Sequence, residues 1–213
     1  LFAAKRLAVL PNIGPLVAPT TKAQYKNASF PKPAKLFSHN DQQSTWQTLA
    51  PEGATFGWGG RMGDLLAGGN SMGVFTSVSA SGNQPWLSGD VVKQYQVSSS
   101  GAVRIGGGST LFGSAAAMSK AESIMRNARG SQFFEQDYAA IVGRSMDAEA
   151  ALTAALPAAN SAPFGTAGQT GNDPLLRYVD VNGNAQNSDL AQQLQVVARM
   201  IAARSALGAR RQV

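Results

Sequence analysis

The chain has 213 residues, of which 44% are hydrophobic and only 14% are charged, and it contains no cysteine. The lack of cysteine excludes disulfides, thiolate metal sites, iron–sulfur ligation and cysteine nucleophiles. No run of about 18 apolar residues is present, so the sequence predicts no transmembrane segment. The composition suits one sizeable core under a polar, weakly charged surface, which favours an exported protein over a cytosolic one.

The positive charge is concentrated at the start of the chain. The net charge is +6, and residues 1–40 contain six basic side chains and no acidic one, whereas residues 41–213 contain twelve of each. Such a segment either faces an anion or a partner protein, or is a solvated loop. We expect no nucleic-acid binding, because no recognised nucleic-acid module accompanies the charge.

The first elements in chain order are a strand, a loop and two helices. The apolar run over residues 6–14 predicts a buried parallel strand. Residues 14–36 contain four prolines, which predict a long loop without any regular helix. A helix is expected over 38–50 with Ser38 as its cap. A shorter one is expected over 61–67, closed by a pair of glycines.

The middle of the chain changes from strands to helices near residue 110. Alternating apolar and small polar residues predict a strand over 72–81, and two further short strands are expected over 93–99 and 102–107. Residues 114–156 are expected to be helical with a break at Gly130. One face of this helical region carries apolar side chains at helical spacing, namely Phe134, Tyr138, Ile141 and Val142.

The last third of the chain is predicted to be a loop, a helix and the start of a strand. Residues 157–187 are polar, and Asn182–Gly183 predicts a turn among them. The final helix has Ser188 as a cap and Asp189 in its first turn. Its apolar stripe consists of Leu190, Leu194, Val197 and Ile201. The last four residues look like a new strand, which we expect to find no pairing partner within this chain.

These elements predict an α/β fold with a partial parallel sheet. We expect residues 1–110 to form the sheet region, including the long loop over 14–36. Residues 111–213 are expected to form a helix-rich region that ends in a long amphipathic helix. The first residues look like the end of a helix and the last residues look like the start of a strand. The chain is therefore interpreted as an internal piece of a larger protein.

The segment Ser38-His39-Asn40-Asp41 is the strongest candidate in the sequence for a catalytic or metal-binding site. His39 is the only histidine of the chain and lies beside a hydroxyl and two residues from a carboxylate. Such a group can supply a nucleophile, a metal ligand or a general base. A helix cap by Ser38 followed by a polar first turn explains the same residues, so both interpretations stay open on the residues alone.

Three other features are weaker candidates. The glycines at 106–108 form a flexible turn rather than a phosphate-binding loop, because the lysine of such loops is absent. The segment 180–184 is similar to a calcium loop, but Ala191 stands where the closing glutamate belongs. The three tryptophans, Trp46, Trp58 and Trp86, are expected to pack within the protein rather than bind a ligand.

Four blocks of the sequence resemble, in the same order, a bacterial family named domain of unknown function 1501. They are LAVLPNIGPLVAPTTKAQY (7–25), LFSHNDQQSTWQ (36–47), GWGGRMGDLL (57–66) and VARMIAARSALGARRQV (197–213). The resemblance implies export through a twin-arginine signal and an alkaline-phosphatase-like fold, similar to phosphatases and sulfatases. It also implies a divalent metal in the full-length protein, with most of the metal-binding blocks lying before Leu1 and after Val213.

Within this chain, the resemblance carries over only Ser38, His39 and Asp41 as catalytic candidates. His39 and Asp41 are also the candidate metal ligands, and Arg61 is a candidate anion clamp. We expect a hydrolase of phosphate or sulfate esters as the full-length protein, and no metal-dependent hydrolysis by the 213-residue chain alone. The alternative is a non-catalytic structural or interaction subunit of an extracytoplasmic assembly. Its partner would be the remainder of the parent polypeptide or another protein chain.

Overall fold

The computed structural model describes residues 8, 13–51, 53–104, 108–127, 130–169, 173–210 and 212–213. The strand expected over 6–14 lies for the most part outside these residues, as do the glycines at 106 and 107. The described residues form six α-helices: α1 (Lys22–Lys26), α2 (His39–Thr48), α3 (Trp58–Leu66), α4 (Ala115–Arg126), α5 (Phe133–Ala155) and α6 (Asp189–Ala203). They also form four short strands: β1 (Val78–Ser79), β2 (Tyr95–Gln96), β3 (Arg177–Val179) and β4 (Ala185–Asn187).

Serine caps begin three of the helices. The hydroxyl oxygens of Ser38, Ser114 and Ser188 each accept an N–H from the first turn of α2, α4 and α6, at 3.4, 3.2 and 3.1 Å respectively. A serine cap satisfies an N–H group that would otherwise lack a partner at a helix start. The predicted caps at Ser38 and Ser188 are therefore confirmed.

The expectation that residues 14–36 contain no regular helix is wrong. The helix α1 lies between two prolines of this segment and begins at a capping box. Thr21 N–H donates to the side-chain oxygen of Gln24 at 2.8 Å, and Gln24 N–H donates to the Thr21 hydroxyl at 3.3 Å. The prolines lie far enough apart to leave one helical turn, which this reciprocal capping stabilises.

The predicted parallel sheet is present but small. β1 and β2 pair in parallel, and each is shorter than the strand expected around it. The predicted strand over 72–81 begins instead with a 3-10 turn at Gly73–Phe75, and residues 102–104 form no strand.

The last residue of the chain pairs with β1, contrary to expectation. Val213 N–H donates to the Thr76 carbonyl at 2.8 Å, and Val78 N–H donates to the Val213 carbonyl at 3.2 Å. This alternation is that of a parallel ladder and places Val213 beside Ser77. β1 thus lies between β2 and the end of the chain, so the prediction that the final strand cannot pair within the chain is wrong.

The segment predicted as a polar loop over 157–187 contains an antiparallel hairpin. β3 pairs with β4, and the turn between them has Gly183 at a φ of 82°, as the Asn-Gly sequence predicted. Asp180 accepts the N–H groups of Asn182 and Asn184, both at 2.9 Å. The calcium-like sequence therefore stabilises a turn.

One hydrophobic core joins both halves of the chain. Phe75 and Val97 come from the sheet region, and Leu152 and Val196 come from α5 and α6. Phe75, Leu152, Val196 and Leu207 are completely buried. The remaining buried members of this cluster are Ala148, Met200, Ala203 and Ala209.

The apolar stripe predicted on the last helix is not its buried face. Leu190, Leu194, Val197 and Ile201 are 39–64% exposed, whereas Val196, Met200 and Ala203 on a neighbouring face of α6 are buried. The apolar face of α5 shows the same pattern, because Phe134, Tyr138 and Ile141 are at least half exposed while Val142 is buried. Both helices therefore have apolar side chains on two sides.

A carboxylate on α3 organises the loop before β2. The two oxygens of Asp64 accept the N–H groups of Asp90, Val91 and Val92 at 2.8, 3.1 and 2.8 Å. The hydrogen bond from Val92 is the largest of the effects that hold the pKa of Asp64 below its ordinary value. The folded state therefore favours the ionised carboxylate.

We expect Asp64→Asn to lower stability near neutral pH, with a smaller effect in acid. The contribution of Asp64 is complete above the unfolded-state pKa of about 3.9, and it is lost as the pH falls through the lower folded-state pKa. Urea unfolding at pH 6 and pH 3 measures the difference between variant and wild type. Asp90→Asn, in the same loop, is the control, and an Asp64 difference of equal size at both pH values would contradict the assignment.

Candidate functional site

Ser38 and His39 lie at the start of α2, where a turn redirects the chain. Lys35 has a positive φ of 51°, and its carbonyl accepts the N–H of Ser38 at 2.9 Å. Ser38 is the cap. His39 is the first residue of the helix, and its side chain is exposed. The only imidazole of the chain is therefore accessible to solvent.

Asp41 has a different environment from His39 although it lies in the same turn. Its side chain is only 4% exposed, and its carboxylate lies 3.3 Å from the Lys35 ammonium. The N–H of Asp41 donates to the Ser38 hydroxyl, so the residue also takes part in the helix cap. A carboxylate in the first turn interacts favourably with the helix dipole. These contacts give Asp41 a structural role at the turn, whether or not it also takes part in chemistry.

Two backbone N–H groups remain available at this helix end. Among the described residues, the N–H groups of His39 and Asn40 have no hydrogen-bond acceptor, whereas those of Asp41 and Gln42 bond to Ser38. Unpaired N–H groups at the start of a helix attract anions, because they carry the positive end of the helix dipole. The exposed imidazole thus adjoins a small electropositive surface.

A polar cleft lies along one side of α2. Its volume is about 390 Å³, and the helix contributes four uncharged side chains at helical spacing, Asn40, Gln43, Ser44 and Gln47. The opposite wall comes from the residues around Pro85. His39 does not line this cleft, so the imidazole and the cleft share only the first turn of the helix.

Trp58 and Trp86 pack against each other as predicted, whereas the Trp46 side chain is 50% exposed and its backbone carbonyl makes the contact between α2 and α3. The Trp58 indole N–H donates to the Trp46 carbonyl at 2.9 Å. The rings of Trp58 and Trp86 meet edge to face with centroids 5.0 Å apart. The Gln47 side chain accepts the N–H of Trp86 at 3.1 Å, which fixes the same corner from α2.

Among the described residues, Arg61 forms no ion pair with the start of α2. Arg61 is exposed on α3, and within the described part of the chain it forms no ion pair. The contact between the helices is at Trp46, which lies roughly 10 Å along the α2 axis from His39 at 1.5 Å per residue. The anion-clamp role of Arg61 therefore stays a prediction that requires a ligand extending between the two helices.

The described residues do not fit a complete divalent-metal site. None of them belong to a group of three or more histidine, aspartate or glutamate side chains. A protein metal site commonly requires at least three such ligands. His39 is exposed, whereas Asp41 is buried against Lys35.

Sequence reasoning missed the lysine partner of Asp41 and the neighbouring cleft. Lys35 is six residues before Asp41, and the turn that brings the two together depends on a backbone conformation that the sequence does not indicate. The open N–H groups were foreseeable, because a predicted cap at Ser38 implies unpaired donors in the following turn.

Comparisons with protein family models, with characterised proteins and with solved structures found no match to this chain. The helices within the described ranges include none with the length and apolar character that crossing a bilayer requires.

We expect Ser38→Ala and His39→Ala to differ in stability. Loss of the cap should lower the free energy of unfolding by about 0.5–2 kcal/mol. Removal of the exposed imidazole should change it by less than about 0.5 kcal/mol. Denaturant unfolding monitored by circular dichroism measures both variants.

Ser114→Ala, which removes the equivalent cap of α4, is the matched control and should behave like Ser38→Ala. A large loss of stability in His39→Ala would show that the histidine has a structural role that its exposure does not suggest.

Proposed function

We propose that this chain contributes a proton-transfer group and an anion-binding helix end to an exported hydrolase of phosphate or sulfate esters. The observation that carries the proposal is the exposed imidazole of His39 beside the open N–H groups of His39 and Asn40. The resemblance of four sequence blocks to a family similar to phosphatases and sulfatases supports the same reaction class.

Each residue of the first turn has a separate role in this proposal. The N–H groups of His39 and Asn40 hold the anionic oxygens of the ester. A water molecule attacks the phosphorus or sulfur atom and the bond to the ester oxygen breaks. The protonated imidazole of His39 donates its proton to the leaving oxygen and regains one from the attacking water. The Ser38 oxygen accepts the N–H of Asp41, which leaves the hydroxyl hydrogen free to donate to the same anion. The Asp41–Lys35 ion pair keeps the turn in place.

The family resemblance adds a divalent metal to the proposal, with His39 and Asp41 as its candidate ligands. Since the described residues do not complete such a site, the remaining ligands would have to come from other groups. In this proposal, Arg61 is the anion clamp, which binds a further anionic group of an extended substrate.

The test is ester hydrolysis by the full-length natural polypeptide, with and without added divalent metal. We expect His39→Ala to lower kcat/KM for p-nitrophenyl phosphate or p-nitrophenyl sulfate by about 100-fold or more, the usual effect of a proton-transfer group. The variant should remain folded, because the side chain is exposed.

Asn40→Ala is the matched control for this experiment. It lies in the same turn, its side chain is also exposed, and the proposal uses only its backbone N–H. Activity should therefore persist in Asn40→Ala. An unchanged rate in His39→Ala would remove the histidine from the mechanism.

A second candidate function is that of an interaction subunit without catalysis. The observation that favours it is the exposure of apolar side chains on α5 and α6, including Phe134 at 83% and Leu190 at 64%. Large exposed apolar patches commonly mark contacts with other proteins. This function predicts no hydrolysis by the full-length polypeptide, so the same assay separates the two candidates.

A further inference from the structure

A polar cavity lies beside the first half of α6, away from the helix that carries His39. Its volume is about 360 Å³, which falls within the range of about 300–1,000 Å³ that is typical of small-molecule sites. Its walls also come from the turn at 98–101, from the segment 159–169 and from both ends of the β3–β4 hairpin. Side-chain amides and hydroxyls make up most of the described lining, together with one carboxylate, that of Asp173.

Hydrogen bonds hold the walls of this cavity together. The Gln195 amide nitrogen, Nε2, donates to the carbonyls of Ala159 and Phe164 at 3.1 and 3.0 Å, which attaches the segment around 159 to α6. The Leu176 carbonyl accepts the N–H of Ser188 at 3.0 Å, which attaches the hairpin to the start of α6. The walls are therefore arranged before any ligand binds, and this lowers the entropic cost of binding.

The carboxylate in the wall is buried and already bound by the chain. Asp173 is 7% exposed. Its oxygens accept the N–H and the hydroxyl of Thr166 at 2.7 and 2.9 Å, and the N–H of Leu175 at 3.0 Å. These bonds, that from the Thr166 N–H first, hold the pKa of Asp173 below its ordinary value. The ionised group has room to accept about one further hydrogen bond and cannot donate any.

The other polar side chains of the lining differ in what they can still offer. Both N–H groups of the Gln195 amide are used by the two carbonyls, so this residue can offer only the acceptor Oε1. Asn160 and Gln192 are half-buried, and within the described ranges their side-chain amides form no hydrogen bond. Each of these two amides can therefore both donate and accept.

This combination selects the chemistry of a ligand. The described lining includes Asp173 but no lysine, arginine or histidine, which disfavours an anion. An ammonium group only donates, so it would leave the N–H groups of Asn160 and Gln192 without an acceptor. A hydroxyl both donates and accepts, so several hydroxyls on one small molecule match the fixed acceptors and the two amides together.

We propose that this cavity binds a small uncharged polyhydroxyl molecule of monosaccharide size. Its hydroxyls donate to the Asp173 carboxylate and to Gln195 Oε1, and they exchange hydrogen bonds in both directions with the amides of Asn160 and Gln192. The aliphatic side chain of Leu176 supplies an apolar contact for the carbon skeleton. The proposal does not depend on any role of His39.

The test is a titration of the isotope-labelled chain with glucose, galactose, mannose, ribose and myo-inositol, followed by proton–nitrogen NMR. A few net hydrogen bonds give millimolar affinity, so each compound is added up to about 50 mM. We expect at least one of them to cause saturable shifts of the Asn160 and Gln192 side-chain amide signals. Methylammonium chloride and sodium acetate, added at the same concentrations, should leave these signals in place.

Two neighbouring glutamines on α6 provide the matched pair of variants. Gln192 lines the cavity, whereas Gln193 is also half-buried but is not part of the described lining. Gln192→Ala should weaken binding of the polyol about threefold to tenfold, the effect of losing one hydrogen bond. Gln193→Ala should leave the affinity unchanged. Since the Gln192 side chain has no hydrogen-bond partner among the described residues, both variants should remain folded.

Either of two results with the wild-type chain would overturn the proposal. One is that none of the five polyols causes a saturable shift at the cavity. The other is that methylammonium or acetate shifts the same signals at lower concentrations than every polyol, which would assign the cavity to a charged ligand. Equal affinities of Gln192→Ala and wild type would overturn it as well. None of these results bears on ester hydrolysis.

Discussion

The pairing of residues 70–78 with residues 208–210 and 212–213 is the constraint on which the described core depends. Ser71 N–H donates to the Gly208 carbonyl at 2.8 Å, and Arg210 N–H donates to the Asn70 side chain at 2.8 Å. Val213 then completes the contact at β1. These bonds join segments more than 130 residues apart in the chain. They bring Leu207 and Phe75, both completely buried, into one hydrophobic cluster with residues of α6.

The helix that carries the candidate site, α2, is connected to this core through α3. The helix α2 meets α3 and Trp86 through the tryptophan contacts and Gln47, and α3 in turn holds the loop before β2 through Asp64. These contacts lie near the C-terminal end of α2, whereas His39 at the opposite end is exposed. An exposed imidazole is compatible with chemistry on a molecule that approaches from outside.

The exposed apolar stripe on α6 lies next to the face of the same helix that fills the core. Val197 and Ile201 of the stripe line an apolar cleft beside β1 together with Met200, which also belongs to the core cluster. A helix with apolar residues on two neighbouring faces can contact two layers at once.

The sequence by itself determined the features that depend on neighbouring residues. The caps at Ser38 and Ser188, the break before α5 and the turn at Gly183 were predicted, because each rests on bonds or backbone preferences within a few positions. The tertiary structure alone decided which face of α6 is buried, how β1 pairs with Val213, and that Asp41 meets Lys35. Periodicity identifies an apolar stripe but not its partner, and strand pairing and ion pairing depend on how distant segments or tight turns bring groups together in space. For the same reason, the exposure of His39 could be inferred only after α2 had been placed against α3.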